Sequence, residues 1–278
     1  MEVFVQQLVN GLTKGSMYAI VALGYTMVYG IVQLINFAHG EVVMIGAMVA
    51  FTVITVLVKA QLGLPPLAIV LIGAVAAVLV CIAVGYLLER TAYRPLRRAP
   101  RLAPLITAIG ASIILQHLAM LIWSRNPISF PTIIHVTPYS ITGGPMPATI
   151  SNVQIAIILI SIVVMAGLML LVHRTKLGIA MRATAQNQVV AGLMGIDVNR
   201  VIAVTFLIGA AMAAVAGVMV GTYYGIAHYQ MGALLGLKAF AAAVLGGIGN
   251  LPGAMLGGVL LGLIEALGAG YIGDFTGG

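Results

Sequence analysis

The sequence predicts an all-α polytopic membrane bundle of about seven or eight spans, with one or more helices broken inside it. Three observations predict this. The chain is 62% hydrophobic and 7% charged over 278 residues, with a mean hydropathy of +1.14, far more apolar surface than a water-soluble domain can bury. Runs such as Leu67–Leu88 and Ile155–Val172 approach or reach the roughly 20 apolar residues that cross a hydrocarbon core. Finally, the basic side chains avoid those runs and collect in two loops, Glu89–Arg101 and His173–Arg200, as they do on the cytoplasmic side of membrane proteins.

In chain order the spans fall at about Gly15–Leu34, Val42–Val58, Leu67–Leu88, Leu102–Trp123, Val153–Val172 and Val201–Gly221. From Lys238 the chain stays apolar but is interrupted by Gly246, Gly247, Gly249, Pro252 and Gly253, and then runs on from Ala254 to about Ala269. Two spans separate the loop carrying Arg90, Arg94, Arg97, Arg98 and Arg101 from the loop carrying Arg174, Lys176, Arg182 and Arg200, so both can face the cytoplasm. The Pro/Gly-rich segment Ser124–Asn152, with Arg125 as its one basic residue, then faces out. Counting back places the N-terminus outside, provided Ile35–Gly40 is a cytoplasmic turn and not a re-entrant dip. Glu2 and the lack of a basic leader predict that the first span serves as its own insertion signal.

The excess of 13 Lys and Arg over 6 Asp and Glu flanks spans rather than forming a stripe with interleaved aromatics, so it points to membrane topology and not to nucleic acid. Cys81, the single cysteine, falls in an apolar run and reads as a small buried hydrophobe. Nothing points to catalysis, a metal or a cofactor. No HExxH or GxxxxGK[ST] run is present, and the five histidines are scattered. His39 and Glu41 stand about 200° apart on one helix, too far round to share a ligand.

Two segments carry information about function. The first is the polar cluster Asn36-Phe37-Ala38-His39-Gly40-Glu41. Polar groups at membrane depth face a bundle interior or a wet cavity, and a helix broken at Gly40 exposes backbone that only protein or water can satisfy. Transporters pair such breaks around their substrate, and Gly246-Gly247-Ile248-Gly249-Asn250-Leu251-Pro252-Gly253 is a second one. Asn36, Phe37, His39, Gly40, Glu41, Gly246, Gly247, Gly249, Asn250, Pro252 and Gly253 are therefore candidate pathway residues. The competing reading makes Asn36–Glu41 an interfacial turn with Glu41 among headgroups. Glycines elsewhere read as close helix packing.

The second segment is Thr175–Arg200. Met181, Ala185, Val189, Leu193 and Ile196 recur at three- and four-residue steps, predicting one short amphipathic helix outside the membrane, ended near Gly195, with Asp197 capping the next helix. Its apolar face is rich in Ala and Gly, slight for a lipid anchor but suited to a partner's groove; resting on the bilayer is the alternative.

NGLTKGSMYAIVALGYTMVYGIVQLINFAHGEVVMIG (Asn10–Gly46), ERTAYRPLR (Glu89–Arg97), GIAMRATAQNQVVAGLMGIDVNRVIAVTFLIGAAMAAVAGV (Gly178–Val218) and LKAFAAAVLGGIGNLPGAMLGG (Leu237–Gly258) together resemble the branched-chain amino-acid ABC importer permeases, LivH-type subunits in particular. The resemblance covers nearly the whole chain as one permease domain. It implies an ATP-driven bacterial inner-membrane importer of branched-chain or other small neutral amino acids, in which this chain forms half of an alternating-access pathway and pairs with a second homologous permease, two cytoplasmic ATPases and an extracytoplasmic substrate-binding protein. It also implies that Arg182, Ala183, Thr184, Ala185, Val189, Gly192, Leu193 and Gly195 belong to the segment that contacts the ATPase. Family members usually continue with one more apolar segment and a short basic tail, whereas this chain ends in Asp274-Phe275-Thr276-Gly277-Gly278; hence seven or eight spans. Related permeases for urea, short amides or other amino acids are the alternative within the class. Outside it stand a passive channel and a secondary transporter, which would need an intramembrane acid such as Glu41 or Glu265.

Overall fold

The computed structural model describes residues 2–97, 99, 100, 102–143 and 147–276, with side chains to Tyr271. The chain forms α1 (Glu2–Val32), α2 (His39–Lys59), α3 (Pro66–Leu88), α4 (Leu102–Ile122), α5 (Asn152–Arg174), α6 (Lys176–Gln186), α7 (Gln188–Leu193), α8 (Val198–Tyr224), α9 (Met231–Leu245) and α10 (Leu251–Thr276). A π-helical turn at Glu89–Tyr93 and a 3₁₀ turn at Arg94–Leu96 carry α3 onward. Seven helices among the described residues are long and apolar enough to cross a membrane, and α9, at 15 residues, is a shorter apolar one. Arg98 and Arg101, two of the basic residues of the first loop, lie outside the described residues.

Local chemistry sets the helix ends. Ser151 and Gln154 form a reciprocal capping box at the start of α5. Thr175, Asn187 and Asp197 cap α6, α7 and α8 by accepting backbone N–H bonds, as the sequence predicts for Asp197. Gly225 ends α8 at φ +67, a left-handed position that glycine occupies at least cost.

Helix packing rests on small residues. Helices α1 and α10 run antiparallel and approach to backbone contact: a Cβ at Gly15 would lie 2.7 Å from Val259 Cα, one at Gly11 2.8 Å from Leu263 Cα, and one at Gly262 would run into the backbone of Gly15. Gly46 of α2 meets Ala214 of α8, where a Cβ would sit 2.7 Å from Ala214 Cα. Between apolar helices in lipid, such close backbone approach supplies the attraction that water supplies elsewhere. Gly262→Leu is therefore expected to lower the melting temperature of the detergent-purified protein, because overpacking costs about 1–3 kcal/mol. Gly167→Ala, with open space around it, should leave it unchanged. Equal melting of the two variants would show that α1 and α10 can separate at no cost.

The two ends of the bundle differ. At one, Arg97 donates to Asn199 Oδ1 and pairs with Glu89, and the Gln188 amide donates to the Ile31 carbonyl at 3.1 Å. Both basic loops thus gather where α1 ends. At the other, Gln6 exchanges hydrogen bonds with the Thr149 backbone. There, between α4 and α5, a small hairpin pairs Pro138–Ser140 with Thr149–Ser151, and Ile128–Ser129 pairs with Ile226–Ala227. The first helix starts at Glu2 rather than near Gly15, since Gln6, Gln7 and Asn10 make it too polar there to read as a span; Gln6 bonds to the hairpin, and Asn10 accepts from the Gln6 and Gln154 amides. Cys81 is fully buried, its thiol donating to the Val42 carbonyl.

Candidate functional site

The Asn36–Glu41 cluster is not at a surface. Residues 33–38 leave α1 through Gln33, at φ +56, and turn back into the bundle. The first turn of α2 then lies against Gly24 and Tyr25, about 12 Å back along α1 from its end at Val32. The expected turn at the basic end is a re-entry. The alternation of spans survives it, because α2 pairs antiparallel with α3, with Cys81 against Val42 and Gly73 against Ile54. Glu41 is 1% exposed and His39 2%, both enclosed by protein.

Neighbouring elements hold the Asn36 side chain and one oxygen of Glu41 by hydrogen bonds. The Tyr93 hydroxyl, in the π turn, donates to Asn36 Oδ1 at 2.8 Å. Ser112 of α4 donates to Glu41 Oε1 at 3.2 Å. The His39 ring packs edge-on against Tyr25 at 4.8 Å between centroids and fills the space beside Gly24 that a side chain would take. His39 Nε2 and Glu41 Oε2 have no hydrogen-bond partner among the described residues. Buried polar atoms in this condition are uncommon and call for a functional account. Glu41 Oε2 faces Gly232 of α9, where a Cβ would come within 2.6 Å of it. Gly40 lies against the Gly232 carbonyl and Gly236 Cα. Gly40, Gly232 and Gly236 thus let the start of α2 and the first turns of α9 approach to backbone contact.

The second break lies next to the first. Helix α9 ends at Leu245, and Gly247 (φ +86) and Gly249 (φ +93) turn the chain in conformations that disfavour any side chain. Asn250 accepts from the Gly253 N–H at 3.4 Å, and Pro252 stands in the first turn of α10, where its missing N–H costs nothing. Gly246 packs on the Gly253 backbone. Phe37 and Phe240 stack at 5.6 Å, and Ile35 and Ile248 line one small cavity with Tyr25 and Tyr29. The two interrupted segments, far apart in sequence, are neighbours around α9.

At the basic end the expected single amphipathic helix is two. Asn187 caps α7 by accepting from Val189 N and Val190 N, so its side chain competes with helix continuation and breaks the face in two. Met181, Thr184 and Ala191 are buried. Arg182 donates to the Val172 carbonyl at the end of α5 and, with Ala185, Gly30 and Gly249, lines a groove that reaches the second break. Ala183 and Ala185 are half-buried, while Gly192 and Gly195 are exposed and have open space around them. Val189, Leu193 and Met194 are 74, 83 and 78% exposed.

Sequence reasoning missed one constellation. Glu265 of α10 accepts from Lys238 Nζ at 2.7 Å and from the Tyr18 hydroxyl at 3.0 Å, and pairs with Lys14 at 3.4 Å. The available signal was each charge by itself inside an otherwise apolar helix, since ionisable residues at membrane depth face partners rather than lipid.

A family profile described as the branched-chain amino acid transport system permease component matches residues 7–276. The high-affinity branched-chain amino acid transport system permease protein BraD of Pseudomonas aeruginosa is 51% identical over 98% of this chain and 88% of its own. LivH of Escherichia coli, similarly described, is 45% identical over 97% of this chain and 87% of its own. A protein of Methanocaldococcus jannaschii described as a probable branched-chain amino acid transport permease is 28% identical over 73% of this chain and 61% of its own. No solved structure matches. A profile that spans both breaks, the small-residue contacts of α1 with α10 and the α6–α7 segment places the chain in the family of branched-chain amino acid transport permeases.

Proposed function

We propose that this chain is the permease subunit of an ATP-driven importer of branched-chain amino acids in the bacterial inner membrane, forming half of an alternating-access pathway. The observation that carries the reading is the similarity to BraD, 51% over nearly the whole chain. The partners are a second homologous permease, two cytoplasmic ATPases and an extracytoplasmic binding protein. ATP hydrolysis belongs to the ATPases. The exposed face of α7, carrying Val189, Gly192 and Leu193, docks an ATPase, and Arg182 to Ala185 fasten that face to α5 and to the groove beside Gly249. Motion of the docked ATPase then reaches the second break, and through α9 the first, so that the helices on either side of Asn36–Glu41 and Gly246–Gly253 tilt against one another.

The test is uptake of radiolabelled leucine by proteoliposomes containing the full assembly with ATP enclosed. Import should require ATP and the binding protein and should persist with a proton uncoupler present. Uptake without ATP would make the chain a passive channel. Loss of uptake to the uncoupler with ATP held constant would make the assembly a secondary transporter, with Glu41 or Glu265 as the proton carrier. Import of urea or acetamide in place of leucine would move the substrate class.

A further inference from the structure

At the end of the bundle opposite the basic loops, a cleft of about 580 Å³ opens between α1, the start of α5 and the end of α8. That volume lies within the range of small-molecule sites. Gln7, Asn10 and Lys14 line it from one face of α1, at steps of three and four residues, with Gln154, Val136 and Tyr223 opposite. The same face continues inward to Tyr18, and Lys14 connects the cleft to the charged cluster below it. There a single carboxylate, Glu265, serves two ammonium groups. Lys238 holds it closely at 2.7 Å, while Lys14 stands off at 3.4 Å. The set carries one surplus positive charge, shared by the shorter apolar helix α9 and by α1 and α10, which are long and apolar enough to span a membrane, and an uncompensated charge among such helices is costly. A structural tie between α9 and α10 needs only Lys238. Lys14 adds a cation that α1 presents to a polar cleft.

We infer that this cleft is a substrate subsite within the permease, taking an α-amino carboxylate: Lys14 binds the carboxylate in exchange for its longer contact with Glu265, the Asn10 side-chain oxygen receives the ammonium in place of the Gln6 and Gln154 amides that donate to it at 3.2 Å, and Val136 with the Tyr223 ring takes the aliphatic chain. The inference rests on the import reading and adds to it a place where the amino acid is received on entering the membrane. The ligand's carboxylate neutralises the surplus charge, and its ammonium finds an amide oxygen one turn of α1 away from Lys14.

The experiment measures binding of radiolabelled leucine to the assembled permeases and ATPases in lipid nanodiscs, without the binding protein. Saturable binding is expected, displaced by unlabelled leucine but not by leucinamide, which lacks the carboxylate. Lys14→Met should weaken it about tenfold or more, since the substitution removes a charge-assisted hydrogen bond to the ligand. Lys14→Arg should restore most of it. Asn10→Leu, which leaves the Lys14–Glu265–Lys238 ion pairs in place but removes the acceptor of the Gln6 and Gln154 amides, should weaken it too. Elution of the assembly should be the same in all of these variants. Absence of saturable binding, equal displacement by leucinamide, or wild-type affinity in Lys14→Met and Asn10→Leu would each overturn the subsite. If leucine import by wild-type proteoliposomes nevertheless stands, only the subsite falls; if wild-type proteoliposomes fail to import leucine, the import reading itself has failed.

Discussion

Gly40→Leu is expected to abolish leucine uptake and to reduce sharply the amount of folded protein recovered. A Cβ at position 40 would meet the Gly232 carbonyl and lie 2.8 Å from Gly236 Cα. Both obstacles are backbone of α9, so no side chain can swing aside, and the cost stands at or above the usual 1–3 kcal/mol of overpacking. The displaced element would be the short helix that separates the two breaks. His39→Leu separates packing from transport at the same place. Leucine can fill the apolar space beside Gly24 and Tyr25 but offers no polar atom where His39 Nε2 is buried without a partner among the described residues. Assembly should be kept, as read by co-purification of the ATPases, while uptake falls. Wild-type uptake by His39→Leu would make the cluster a packing device only, and wild-type melting by Gly40→Leu would mean that α2 and α9 are not in contact in the membrane.

Much of this arrangement can be read from the sequence, for physical reasons that also mark where reading stops. Apolar runs and basic loops are local signals, and they yield the spans, the gathering of both loops at one end and the cap at Asp197. Both interruptions are legible because Gly247, Gly249 and the Asn36–Glu41 polar run violate the pattern around them. The first, however, falls at Gln33–Ala38, and Gly40, where the sequence reading breaks the helix, lies inside the first turn of α2 and serves its contact with α9. That the two interruptions sit side by side is not legible, since the contact of Gly40 with Gly232 depends on helix crossing. Nor does hydropathy reveal the outer turns of α1, where Gln6, Gln7 and Asn10 are polar because they meet the hairpin and the cleft. Lys14, Lys238 and Glu265 come from three helices, and only folding makes them one group. The periodicity through Met181, Ala185, Val189 and Leu193 is real in the sequence but is cut by one capping side chain, Asn187. Its first half faces the bundle and its second half faces out.

That division sharpens the test of coupling. Ala185 lines the groove beside Gly30 and Gly249, so bulk placed there would disturb the permease itself and leave the cause of any defect undecided. Gly192 has nothing within reach of an added Cβ. Gly192→Trp should therefore leave the melting temperature and membrane insertion of the permease unchanged while denying an ATPase its close approach to α7. If the whole of a 1–3 kcal/mol overpacking cost falls on the bound state, affinity drops by about 5- to 150-fold. Leu193→Asp should act in the same direction by placing a charge at the centre of an apolar contact, because an unpaired carboxylate resists desolvation. Arg182→Glu differs from both: its partner is the Val172 carbonyl, so it should loosen α6 from α5 and uncouple ATP hydrolysis from uptake even where the ATPase stays bound. Co-purification of the ATPases, with hydrolysis and uptake measured on the same samples, separates the three. Retention of ATPase binding and wild-type uptake by both Gly192→Trp and Leu193→Asp would remove α7 from the docking surface. The contact would then have to be sought at the other basic loop, around Arg94 and Arg97, where Arg97 already ties that loop to Asn199 at the start of α8.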